Sequence, residues 1–229
     1  MENGSLPMFW DFEFTFEVMP SLLGGLWVTV QLTLIGYLIA LTLGLLIAIV
    51  RRVPILGSVV HFVMEFIRTT PLIIQVVFVF FLLPASLAIP LLGDVPITAF
   101  TVGVVVLGIH YAAYTAEVYR SGIEGVAKGQ WEAARALSLP TSRTWGAIVL
   151  PQAIRKVIPA LGNYLISMFK DTPLLFAIGV AELLTRAQRI GSESFRMMEA
   201  ITLVGVLFLL VSIPSAIVIR RLEKRYVAV

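Results

Sequence analysis

Long apolar runs, separated by short clusters of charge and proline, divide this 229-residue chain. Residues 21–50 carry no charged side chain and stop at Arg51, Arg52 and Pro54. Residues 57–83 form a second apolar run ending at Pro84, and residues 97–119 a third. A fourth, 157–184, is interrupted by Lys170, Asp171 and Pro173, and a fifth, 198–219, closes at Arg220 and Arg221. A helix needs about 20 apolar residues to cross the hydrocarbon of a bilayer. The pattern therefore predicts an all-α polytopic membrane protein with five transmembrane helices, built as one membrane domain over residues 21–220. Residues 1–20 interleave Phe9, Trp10, Phe12, Phe14 and Phe16 with Asp11, Glu13 and Glu17. They read as an extracytoplasmic or interfacial segment, the reverse of a basic secretory leader. Residues 221–229 read as a cytoplasmic tail.

Composition agrees. Hydrophobic residues make up 59% of the chain and charged ones 14%, where a soluble domain carries about 25% charged. The absence of cysteine excludes disulfides and thiolate metal sites. The net charge of +3 says little as a sum; its distribution sets the topology. Basic residues mark the cytoplasmic side of a membrane protein. Arg51, Arg52, Arg120, Lys128, Arg135, Arg143, Arg155, Lys156, Arg220, Arg221, Lys224 and Arg225, 12 of the 17 basic residues, fall on one side of a five-span chain. The other side has the acidic N-terminal segment and the loop 84–96 with Asp94 alone. The expected orientation is N-terminus outside and C-terminus cytoplasmic. Arg186, Arg189 and Arg196 fall on the outer side against the rule. Two readings stand for them: an ordinary solvated loop, or a docking surface for an external partner.

The loop 120–156 between the third and fourth runs is polar and rich in small residues. Trp131, Ala134 and Leu137 recur at three-residue spacing, which places them on one face of a short helix. Glu132 and Arg135 are spaced for an ion pair contributing about 0.2–0.5 kcal/mol. Ala133 and Ala134 keep the helix slim, as a rod that seats in a partner's groove must be. Pro140 ends it, and Thr141 and Ser142 are candidates to cap a second helix that Ile148, Leu150 and Pro151 would anchor beneath the membrane. The bland alternative is a generic interfacial hairpin.

Glu132-Ala133-Ala134, three residues, Ser138, nine residues, then Ile148-Val149-Leu150-Pro151 resembles the E-A-A-x3-G-x9-I-x-L-P signature of permease subunits of bacterial binding-protein-dependent ABC importers. Ser138 stands where that pattern has Gly, a departure expected to cost little. GGLWVTVQLTL (24–34), RTTPLIIQ (68–75), AAYTAEVYRSGIEGVAKGQWEAARAL (112–137), LPQAIRKVIPALGNYLI (150–166) and KDTPLL (170–175) are similar to the polar amino acid and opine branch, the histidine, glutamine and arginine type. Thr69 departs from that branch, which often has Gly there, and Pro173 from its frequent Ser. The general look is similar to ectoine and hydroxyectoine permeases, with no single motif to carry it. The resemblance implies a type I ABC importer permease fold in a bacterial inner membrane. It implies a second permease subunit, two ABC ATPase subunits and an extracytoplasmic solute-binding protein as partners. Trp131, Glu132, Ala133, Ala134, Arg135, Leu137, Ser138, Ile148, Leu150 and Pro151 would couple to the ATPases, which would hold ATP and Mg. This chain would carry no cofactor.

Ionisable groups inside hydrocarbon cost at least about 2.5–3.5 kcal/mol each at the centre, so they mark pairs or polar paths. Glu65 and Arg68 stand one turn apart before Thr69, Thr70, Pro71 and Gln75. They read either as a pair holding a proline kink or as path lining, with Thr70 and Gln75 as hydrogen-bonding groups. Glu117 follows Tyr111 and Tyr114; it either pairs with Arg120 or receives a cationic substrate group. Lys170 and Asp171 fall near mid-depth in a broken helix, with Ser167 and Asn163 one and two turns earlier. They either satisfy each other or meet the two charges of a zwitterion.

No G-x4-G-K-[ST] or G-x-S-x-G motif is present, so the expected chain is a non-catalytic subunit that draws energy from elsewhere. His61 and His110 stand alone and read as packed or hydrogen-bonding residues, not metal ligands. Basic clusters at membrane boundaries argue topology, not nucleic acid. The rival readings are an ion-coupled secondary carrier using Glu65, Glu117 and Asp171, weakened by the lack of an internal repeat, and a membrane scaffold.

Overall fold

The computed structural model describes residues 10–82 and 98–227, and every regular element among them is helical. The proposed stop at Pro84, the Asp94 loop and the outermost residues of both terminal segments lie outside the described residues. The first run folds as α1 (Phe12–Val50), 39 residues in one helix. At 1.5 Å per residue it measures roughly 58 Å, far more than the ~30 Å of hydrocarbon. Residues 12–20, expected as a separate interfacial segment, thus belong to the first helix. The Asp11 carboxylate caps that helix by accepting from the Phe14 amide at 3.1 Å.

The second run is not one straight crossing. It divides into α2 (Pro54–Thr69) and α3 (Leu72–Leu82), bent by 106°. Pro71 lacks the N–H that would continue the helix and pushes Thr70 into extended backbone. The third run is α4 (Ala99–Glu124). The polar loop is itself largely helical: α5 (Lys128–Ala136), a single turn α6 (Thr141–Arg143), a π-wound stretch Thr144–Val149, then α7 (Leu150–Asp171). A 3₁₀ stretch, Thr172–Ile178, and a left-handed Gly179 follow, then α8 (Leu183–Ser194) and α9 (Met197–Val227). The Thr141–Ile178 and Leu183–Ser194 segments are bent by 51°. Among the described residues three helices are long and apolar enough to cross a bilayer alone, and counting each bent pair as one crossing gives five. Helix α9 continues through the expected tail to Val227.

Small residues bring α1 and α4 together. Gly36, Ala40 and Gly44 repeat every fourth residue, and a Cβ on Gly44 would stand 3.0 Å from the Ala112 carbonyl oxygen. Close approach of this kind holds helices together in lipid, where burial alone gives no drive. The Thr115 hydroxyl seals the contact by donating to the Ala40 carbonyl at 2.7 Å. Around it lies the main core, with Leu32, Val76, Leu107, Tyr111, Met168 and Leu175. A second core joins Phe14, Val18 and Leu22 of α1 to Leu183 of α8 and Leu203 of α9. It is closed at one end by charge: Arg196 bonds Asp11 at 2.6 Å and reaches Glu199 at 3.5 Å, and its guanidinium lies 5.0 Å over the Phe14 ring.

The Phe14 amide, and then the Arg196 guanidinium, hold the Asp11 carboxyl below its ordinary value. A depressed carboxylate contributes stability that is complete above the unfolded pKa and disappears as pH falls through the folded one. Asp11→Asn, which keeps a capping oxygen but removes the charge, is expected to lower the thermal midpoint of the detergent-solubilised protein at pH 7. The gap from wild type should close below the ordinary carboxylate range; a gap independent of pH would contradict the ion pair's role.

Candidate functional site

Two regions gather the polar residues. The first is inside the bundle, where α2, α3, α4 and α7 meet. Gln75 closes the break at Pro71: its amide donates to the carbonyls of Ile67 at 2.7 Å and Thr70 at 2.9 Å. Its carbonyl oxygen faces His110 Nδ1 at 3.1 Å, so His110 is a hydrogen-bonding residue. His110, Tyr111, Tyr114 and Tyr164 form a continuous ring cluster, with Tyr114 and Tyr164 centroids 5.4 Å apart. Arg68 covers one side, its guanidinium 5.4 Å from the Tyr114 centroid. On the other side Asp171 accepts the Tyr111 hydroxyl at 2.6 Å.

The cluster decides between readings. Lys170 and Asp171 do not pair: Asp171 is bound to Tyr111, and exposed Lys170 has no hydrogen bond or ion pair among the described residues. Adjacent residues on a helix point about 100° apart, which separates the two. Glu65 contacts Arg68 at 3.4 Å, while Arg68 Nε is buried without a partner among the described residues. Glu117 is gripped twice, by Arg51 at 2.8 Å and by Arg120. The Thr70 hydroxyl is committed to the Phe66 carbonyl at 2.7 Å. Asn163 is exposed and Ser167 half-buried, neither hydrogen-bonded among the described residues. Tyr164, not Asn163, carries the α7 face up to Asp171; its seven-residue offset, two helical turns, was the available signal.

Glu182 was also missed by sequence reasoning. It is fully buried after the 3₁₀ stretch and caps α8, accepting from the amides of Leu184 at 2.8 Å and Thr185 at 2.7 Å and from the Thr185 hydroxyl. Glutamate is not among the residues favoured at an N-cap, so the local sequence carried no strong signal for this role.

The second region is the α5–α7 hairpin. Trp131 and Ala134 turn inward. Trp131 packs with Trp145 edge to face at 5.3 Å, above Val126, Val149 and Ala153. Leu137, expected on the same face, is 73% exposed, because the helix ends there and the chain turns away. Glu132, Ala133, Arg135, Leu150 and Pro151 face outward, with Ile148 half-buried. Glu132 and Arg135 form no ion pair. Nor do Thr141 and Ser142 cap the next helix, whose first residue follows Pro140 without a side-chain cap. The hairpin is tied to the bundle. Gln152 reaches Gln130 at 3.3 Å, Lys156 bonds the Gly125 carbonyl, and Arg52 stacks 4.8 Å over Trp145.

Ser138 has φ 51°, the left-handed conformation that glycine adopts freely. It ends α5 in a tight reverse turn, with the Leu139 amide reaching back to the Ala134 carbonyl at 3.0 Å. Serine is therefore strained at this point, and the small expected cost of departing from Gly is corrected: the position demands a conformation that L-residues resist.

At the opposite end of the bundle, the three arginines expected on the outer side do not form one surface. Arg196 is locked to Asp11 and Glu199. Arg186 donates to the carbonyls of Ala181 at 3.1 Å and Ser21 at 3.3 Å. Arg189 alone projects outward, paired with Glu193 on its own helix.

Residues 40–228 match the family model described as the binding-protein-dependent transport system inner membrane component. A probable amino-acid ABC transporter permease, y4tG of Sinorhizobium fredii, is 40% identical over 92% of this chain and 89% of its own length. The glutamine transport system permease GlnP of Escherichia coli K12 is 35% identical over 95% of this chain and 98% of its own. A crystal structure of an amino acid ABC transporter with histidines superposes with a TM-score of 0.83 at 31% identity, covering 95% of this chain and 100% of that one. The MetNI methionine transporter, in an inward-facing form, shares the fold at 18% identity and a TM-score of 0.66, over 93% and 99% of the two chains.

A left-handed non-glycine residue costs roughly 1–2 kcal/mol. Ser138→Gly is expected to stabilise the hairpin by about 1 kcal/mol, read as about fivefold slower hydrogen exchange at the amides of Leu137 and Leu139. Unchanged or faster exchange would contradict the strain.

Proposed function

The chain belongs to the family of binding-protein-dependent transport system inner membrane components, and on that footing we propose that it is the permease of an ATP-driven importer for a polar amino acid or amino-acid-like solute. Two permeases, alike or paired with a similar subunit, form the path. Two ATPase subunits bind below with their ATP and Mg, and an extracytoplasmic binding protein delivers solute from above. The N-terminus is outside and the C-terminus in the cytoplasm, as the basic residues at the hairpin end support.

The observation that carries the reading is the hairpin's outward face. Glu132, Ala133, Arg135 and Leu137 are exposed among the described residues, while Trp131 packs into the small core beneath them and Ala134 is buried. Leu137 and Leu150 are apolar side chains left beside a polar rim, the pattern of a helix awaiting a groove. Closing the ATPases would move the rod. Arg52 on Trp145 would carry that motion to the end of α1, and Lys156 on Gly125 to the end of α4. A partner that prefers one arrangement shifts the equilibrium by its differential affinity.

The internal cluster supports an amino-acid-like solute. Arg68 Nε, buried and without a partner among the described residues, is a donor left for a carboxylate, and Asp171 keeps an oxygen that Tyr111 does not use for a cationic group. Tyr114 and Tyr164 supply ring faces between them. Ectoine is one zwitterion this arrangement would accept. Thermal protection of the cognate binding protein by candidate solutes identifies the cargo. The ion-coupled reading loses two of its three carboxylates, since Glu117 is held by Arg51 and Arg120 and Glu65 by Arg68.

Glu132→Lys is expected to abolish ATP-driven uptake and release the ATPase while the permease still reaches the membrane; full uptake would remove the docking role. Arg68→Gln is expected to raise the solute concentration needed for half-maximal uptake at least tenfold, with the ATPase still bound. An unchanged concentration dependence would leave Arg68 a structural residue only.

A further inference from the structure

An open groove of about 430 Å³ runs between α1, α7 and α9, on the side of the bundle away from the aromatic cluster. Val30, Leu34, Leu165, Phe169, Val211 and Val218 line it. Its hydroxyls are mostly turned inward: Thr33 donates to the Thr29 carbonyl at 2.8 Å and Ser215 to the Val211 carbonyl at 2.8 Å. Of the groove's hydroxyls, Ser212 Oγ is buried without a partner among the described residues. The walls are therefore apolar, and the volume is that of a single long acyl chain.

Charge marks the groove's lower end. Helices α7 and α9 touch at its floor, where any side chain on Gly162 would meet Ile219. Arg155 lies seven residues from Gly162 toward the hairpin end, and Arg225 six residues beyond Ile219 in the same direction. At 1.5 Å per residue these offsets are ~10 Å and ~9 Å, so the two guanidinium groups sit at one depth. Their azimuths agree as well. Arg155 is seven residues from Gly162 and Arg225 seven from Val218, two full turns in each case, so both continue the groove face. Both are exposed and neither has a hydrogen bond or ion pair among the described residues. Arg220 and Lys224 point to the other side of α9.

We infer that this groove and its two arginines form a binding site for an anionic phospholipid of the inner leaflet, with one acyl chain in the groove and the phosphate on Arg155 and Arg225. In lipid, hydrophobicity does not favour one apolar surface over another. Selectivity then comes from the fixed shape of the groove and from paired cations at headgroup depth. A lipid seated there would wedge α7 against α9 and so brace the helix that carries Asp171. The assignment to the inner leaflet rests on the orientation proposed above.

The test uses the full chain, purified with its partner subunits into micelles containing dioleoyl phosphatidylglycerol or dioleoyl phosphatidylcholine. Bound lipid is counted by native mass spectrometry. One phosphatidylglycerol per permease chain should be retained at least tenfold more tightly than phosphatidylcholine. The double variant Arg155→Ala/Arg225→Ala should lose that preference. Arg220→Ala/Lys224→Ala, which removes the same charge from the far side, should keep it. Val218→Phe, which fills the groove from an exposed position, should release both lipids. Equal loss in the two double variants would reduce the effect to general surface charge and overturn the site. So would disulfide formation between two copies carrying Val218→Cys, which would give the groove to a second permease. Failure of lipid retention with intact ATP-driven uptake sinks this site alone; loss of ATP-dependence with lipid retained sinks the functional reading alone.

Discussion

A helix that breaks inside hydrocarbon leaves backbone groups with no water to take them, and the protein must supply the partners itself. This constraint shapes the bundle. The chain breaks two of its crossings, and a side chain closes each. Gln75 takes the carbonyls of Ile67 and Thr70 at the first break. Glu182 takes the amides of Leu184 and Thr185 after the second. A backbone so sutured is fixed in position, and the groups beside it are fixed with it. Arg68 precedes the first break, and Asp171 ends α7 where the 3₁₀ stretch Thr172–Ile178 begins to lead the chain to the second.

The rest of the structure supports those two breaks. Small residues let α1 lie close on α4, and Thr115 locks the pair. That slab presents Tyr111 and Tyr114 to Asp171 and Arg68. At the hairpin end, Arg51 reaches from the end of α1 to Glu117 of α4, and Arg52 stacks on Trp145. The aromatic contact spans separate elements, so a displacement of the hairpin reaches α1 without passing through a loop. In the proposed cycle this stiffness is what lets a docking event beneath the membrane alter a site within it.

The sequence made much of this legible. Apolar run length and the placement of arginines located five crossings, and the E-A-A spacing located the hairpin. What stayed hidden depends on direction in space. Asp171 takes its hydrogen bond from Tyr111, 60 residues away, rather than from its neighbour Lys170. Proline at 71 predicts a break but not a bend of 106°. Residues 12–20 look interfacial by composition, yet Asp11 caps a helix that runs through them, and Phe14 and Val18 of that helix join a core with α8 and α9 while Phe12 and Phe16 stay exposed. Ser138 looks innocuous beside glycine until its φ of 51° is known. Arg186, Arg189 and Arg196 look like one docking patch until Arg196 is seen clasping Asp11 across 185 residues.

The central claim is that this bundle moves nothing without a separate motor gripping its hairpin. It is tested most directly by reconstituting the permease and the binding protein into vesicles, with and without the ATPase subunits, and measuring amino acid entry. Entry that requires both the ATPase and ATP agrees with the account. Concentrative entry driven by a proton or sodium gradient, with the ATPase left out, would contradict it.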